Sequence, residues 1–160
     1  MLLPLERFDR LGDPLVLQEH LDRISSSIRS DPATAIGASK SLFESTMKFV
    51  LEDYVEPYDN GDDILALYKK VAELLKLNAE AVPTCAKGSQ AAQKALRSMS
   101  ATAQSVAELA NELSWRHGKT TRSAAHERHA RLTYNATRAV IEFVLDTWHV
   151  RREAEQQAAS

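Results

Sequence analysis

A histidine can move a proton near neutral pH, and an arginine or lysine can hold a phosphate. Both types crowd one stretch of this 160-residue chain. Asn111, Trp115, Arg116, His117, Gly118, Lys119 and Arg122 stand close together, and His126, Arg128, His129 and Arg131 follow. Residues 116–131 hold five Lys or Arg against Glu127 alone, a local formal charge of +4 with His neutral. That combination suits a phosphate-binding surface with a proton-transfer group beside it. An unpaired base could stack on Trp115. Each residue also has a plainer reading. His117 sits in a last turn before Gly118, where a histidine complements a helix C-terminus. Trp115 can pack over that helix end, and the basic side chains can simply be solvated. His126 and His129 lack a third partner at ligand spacing, so no metal is expected. Cys85 has no base at motif spacing and reads as a free, partly buried thiol.

Helices must position these residues. Apolar steps of three and four recur along the chain and predict five of them. The first covers 14–29, with Leu15, Leu17, Leu21, Ile24 and Ile28 apolar. The second starts at Asp31-Pro32, an N-cap followed by a residue tolerated in the first turn. Its apolar side runs through Ala35, Ile36, Leu42, Phe43, Met47, Val50, Leu51 and Tyr54 until Pro57 and Asn60-Gly61 end it. A third covers 62–77, a fourth 86–114 and a fifth 121–155. No segment reads as a strand. The expected fold is all-α, an up-and-down bundle of about five helices. Residues 1–30 read as an added arm or extra helix, 31–150 as the bundle, and 151–160 as a frayed polar tail. Residues 52–63 hold six acids without Lys or Arg and read as a solvated acidic loop.

Composition narrows the classes. Five Gly and five Pro are too few for a turn-rich sandwich or barrel. One Cys excludes an internal disulfide framework and a Cys-based zinc site. A net charge of −2 excludes a uniformly basic nucleic-acid binder, though not a local basic patch. No apolar run approaches the ~18 residues of a membrane span. The start, with Glu6 and Asp9, does not read as a signal peptide, so a cytoplasmic location without membrane contact is expected.

Two blocks carry a family resemblance. Asp31 through Thr46 resembles the opening helix of the abortive-infection C-terminal-like family. Asn111 through Gly118, followed by Ala130 through Thr137, resembles that family's second block, an Arg-Asn pair leading to His-Gly and then an Ala/Leu/Asn-rich helix. The resemblance covers roughly residues 31–148. The family is similar to the HEPN superfamily of helical bundles, commonly metal-independent ribonucleases of toxin–antitoxin, abortive-infection and CRISPR systems. The resemblance implies a homodimer with a shared cleft, no cofactor, an RNA substrate such as tRNA, and an antitoxin or defence-system partner. It assigns His117 to proton transfer around the ribose 2′-hydroxyl and the leaving oxygen. Asn111 matches the polar motif residue. Trp115, Arg116, Lys119 and Arg122 would contact RNA.

One position departs from the pattern. Ala110 stands where the motif has Arg. A guanidinium grips two phosphoryl oxygens and alanine offers nothing. Loss of a dedicated charge-stabilising donor lowers rates by about 10²–10³. Either Ala110 replaces an Arg deliberately, since an active toxin kills its host, or it is natural and the chain has drifted toward binding. Ala110 also fits the apolar stripe of its helix. Three readings follow: an impaired ribonuclease, an inactive RNA-, nucleotide- or protein-binding module, and a plain helical dimerisation domain.

Overall fold

The computed structural model describes residues 14–78, 87–113 and 124–160, and every regular element among them is a helix. The helices are α1 (Pro14–Ser27), α2 (Pro32–Asp53), α3 (Ile64–Leu75), α4 (Ser89–Leu113) and α5 (Glu127–Ala159). All five expected helices are present, with ends displaced by a few residues. No described helix is long and apolar enough to cross a membrane. Cys85 and the stretch 114–123, with Trp115, Arg116, His117, Lys119 and Arg122, lie outside the described residues.

Local chemistry sets the helix ends. Asp31 accepts the Thr34 amide at 3.2 Å and the Thr34 hydroxyl at 2.6 Å, so α2 starts where the Asp-Pro pair predicts. At its far end the Glu56 amide reaches back to the Leu51 carbonyl and the Val55 amide to that of Glu52. This is a Schellman closure, and it holds Val55 at φ 55°. Asp63 caps α3 through the Ala66 amide at 2.8 Å.

Contacts between helix ends give the directions. The start of α2 and the start of α5 share a cluster through Ala35, Ile36 and Ala130. The end of α2 meets the end of α5 where Asp53 bonds Trp148 and Arg152. These two helices therefore run parallel. The last turn of α4 brings Ala110 into the cluster at the start of α2, so α4 runs opposite to both. Helix α1 doubles back on α2, with His20 beside Ser45 and Ile28 near Ala35 and Ile36. Short α3 joins the antiparallel pairs α1–α2 and α4–α5.

The main core lies between α2, α3 and α5, around Phe43, Met47, Leu67, Val71, Ile141 and Val144. Burial of such side chains is worth about 1.5–3 kcal/mol each. Ile24 of α1 is fully buried in the same cluster, so α1 packs as a helix against the bundle. Helix α5 continues to Ala159, exposed from Glu153 on. Arg152 ties it to the end of α2. It donates to Asp53 Oδ2 at 2.7 Å and to the Asp53 carbonyl at 2.6 Å. It also stacks on Tyr54 at 3.9 Å and pairs with Glu155 at 2.9 Å.

Candidate nucleic-acid interface

Of the residues singled out in the sequence, Ala110 and Asn111 lie in the last turn of α4. Ala110 is 1% exposed and packs with Ala35 and Ile36 of α2 and Ala130 of α5. Three alanines at one crossing let the helix backbones approach closely. Asn111, the next residue, is exposed. The last turn of α4 therefore points Ala110 into a helix seam and Asn111 toward solvent. His117 and the other proposed RNA contacts are not among the described residues.

Across the seam, α5 starts with its own capping arrangement. His126 is the N-cap, and its amide donates to His129 Nδ1 at 3.0 Å. A ring nitrogen that accepts an amide proton carries none itself, so the neutral His129 ring bears its proton on Nε2. The two rings lie 5.4 Å apart. The pair so far reads as a helix start, and among the described residues no group of three or more metal-ligating side chains forms.

Glu127, the first residue of α5, draws in two cations. Arg131 bonds it at 2.5 Å, and Arg29, in the turn after α1, lies 3.6 Å away. Both arginines border a groove of about 590 Å³ between α1 and α5, which Ser25, Ser30, Tyr134 and Asn135 also line. Arg128 is exposed on the same end of α5. The groove can offer guanidinium, hydroxyl and amide groups to a phosphate-bearing strand. Sequence reasoning missed Arg29 because it set 1–30 apart from the bundle. The signal was present: Arg29 stands two residues before the N-cap Asp31, so it must lie near the first turn of α2.

The acidic segment 52–63 is more structured than a solvated loop. Asp53 takes the Trp148 indole at 2.8 Å as well as Arg152. Tyr58 donates to Glu52 at 2.5 Å, and Lys70 to Asp62 at 2.6 Å. The Lys70 bond, followed by the Asp59 amide, holds the Asp62 carboxyl below its ordinary range. On the α1–α2 face, His20 Nε2 lies 3.2 Å from Ser45 Oγ. Burial, and then Arg23, pushes the His20 pKa below its ordinary value.

Comparison with curated proteins and with solved structures returns no match. A family model described as a HEPN-like domain, Abi_C, matches residues 16–148, from the first turn of α1 to Trp148. The match takes in α1, the Ala110 seam and the start of α5 together, and on that span this chain belongs to the Abi_C family of HEPN-like domains.

Proposed function

We propose that this chain is a HEPN-type RNA-processing domain of a phage-defence or toxin–antitoxin system whose cleavage step is crippled by Ala110. The family match across the α4–α5 end carries this reading. In it, RNA is held by Arg116, Lys119 and Arg122, with Trp115 against a base. The ribose 2′-oxygen attacks phosphorus and the bond to the 5′-oxygen breaks. His117 handles the protons at those two oxygens, and Asn111 orients the histidine or the phosphate. Position 110 is where a guanidinium would hold the scissile phosphate.

The burial of Ala110 favours a second reading, a binding module without chemistry. A residue 1% exposed among Ala35, Ile36 and Ala130 has been fitted to its helix seam. An arginine there must leave along the helix surface to reach solvent, as long basic side chains can.

The test is metal-free incubation of total tRNA with this chain and with Ala110→Arg, read on a denaturing gel. Circular dichroism checks that both chains stay helical. The ribonuclease reading expects cleavage by the arginine variant and its loss on adding His117→Ala. Intact RNA from a folded Ala110→Arg chain rejects the ribonuclease reading. RNA affinity of the unaltered chain that falls steeply with salt would then identify the binding module.

A further inference from the structure

The groove between α1 and α5 has an anion at its edge, and that anion is the protein's own. Glu127 Oε1 takes Arg131 at 2.5 Å and lies 3.6 Å from Arg29 Nε. Two guanidiniums from distant parts of the chain thus converge on one oxygen. The side chains of Arg29, Arg131 and Glu127 are 83%, 55% and 42% exposed. Ion pairs this open to water are weak, so a better anion replaces the carboxylate at little cost.

Charge decides which anion is better. The two arginines bring two positive charges, and Glu127 balances one. Asp31, the next acid after Arg29 in the chain, is occupied in capping α2 through Thr34. A phosphodiester carries one charge, as the carboxylate does. A phosphate monoester carries close to two at pH 7 and presents three oxygens, enough to engage both guanidinium forks at once. The rest of the groove suits what such a phosphate is attached to. Asn135 supplies an amide, Ser25 and Ser30 supply hydroxyls, and Ile28 gives an apolar wall. Its volume of about 590 Å³ lies in the range of small-ligand sites, so one nucleotide fits.

We propose that Arg29 and Arg131 bind the terminal phosphate monoester of an RNA strand, and that Glu127 occupies its place when no RNA is bound. Glu127 then does two things. It holds the first turn of α5 against the turn after α1, and it competes with the ligand for both arginines. The ligand class rests on the RNA reading given above, but the site does not depend on cleavage.

Fluorescence anisotropy tests the site with a pentaribonucleotide that carries an internal dye and a phosphate at its 5′ end, at its 3′ end or at neither. The unaltered chain should bind one phosphorylated form at least about fivefold more tightly than the form without an end phosphate. Glu127→Gln should widen that ratio by about two- to fivefold, because the competitor is gone. Glu153→Gln makes the same charge change about 39 Å further along α5 and should leave the ratio alone. Arg29→Gln combined with Arg131→Gln should abolish the preference, with helicity unchanged by circular dichroism. Equal binding of all three oligonucleotides, weakening with salt, would overturn the site and leave the RNA reading standing. A ratio that Glu127→Gln does not move would also overturn the proposal. Calorimetry with adenosine 5′- and 3′-monophosphate separates the sources of the phosphate. A mononucleotide bound through the two arginines, with no oligonucleotide bound, would reject RNA as the ligand and the RNA reading with it.

Discussion

Helices α2 and α5 run side by side, and their two ends are joined differently. At one end Asp53 accepts both the Trp148 indole and the Arg152 guanidinium, and Trp148 meets Phe49 edge-on at 6.0 Å between ring centres. At the other, Ala35 and Ile36 lie against Ala130, with Ala110 of α4 filling the same seam. The first junction is fixed by long, directional side chains. The second is fixed by how closely backbones approach over small ones. A bonded junction fails when a partner is removed, and a close-packed one fails when volume is added. That difference places Ala110 in the junction that is sensitive to added volume.

The largest effect should come from the bonded end. Trp148 is only 6% exposed, and Trp148→Ala removes its edge-on contact with Phe49 and its indole bond to Asp53 together. Urea denaturation should show a loss of about 3–5 kcal/mol. A loss below about 1 kcal/mol would mean that this end contributes little, and the contrast between the two ends would collapse.

At the other end, Ala110→Leu probes volume without charge. Three extra carbons have to fit against Ala35, Ile36 and Ala130. Overpacking of this kind should destabilise the fold by about 1–3 kcal/mol in the same assay. A neutral result would show slack in the seam, and Ala110→Arg would then be a clean activity test with no structural side effect. A loss at the upper end would explain why an arginine at 110 must be judged by folding as well as by cleavage.

Much of this was legible in the sequence, and its residues show why. The period of Leu42, Phe43, Met47, Val50 and Leu51 leads directly to the buried face of α2, because an amphipathic helix repeats locally. Asp31-Pro32 marks the start of α2 because a cap is formed by neighbours in the chain. The Abi_C membership was legible too, from Asn111 through Gly118 and the helix after it. Long-range partners were not. Nothing near Asp53 in the chain announces Trp148 or Arg152, so the acidic segment looked solvated and the tail looked free. Arg29 meets Glu127 only because the turn between α1 and α2 comes beside the start of α5. At the candidate site the burial of Ala110 was legible as a stripe position, while its exact neighbours depended on three helices meeting.

A smaller and opposite effect is expected beside the bonded end. Val55 follows α2 and holds φ at 55° with 89% of its surface exposed. A β-branched side chain is disfavoured there, because Cβ crowds the following carbonyl at a cost of about 1–2 kcal/mol. No burial of its side chain offsets that. Glycine adopts the same backbone freely and keeps the amide bond to Glu52. It also gains freedom in the unfolded chain, which cancels part of the benefit. Val55→Gly should therefore stabilise the fold by about 0.5–1 kcal/mol, seen as a higher urea midpoint with unchanged slope. An unchanged midpoint would mean the turn carries no strain for the Asp53 bonds to hold. A lower one would mean that Val55 restricts the unfolded chain more than it strains the folded one. The rise expected here would show that the bonds joining Asp53 to Trp148 and Arg152 stabilise this end despite an unfavourable turn, rather than with its help.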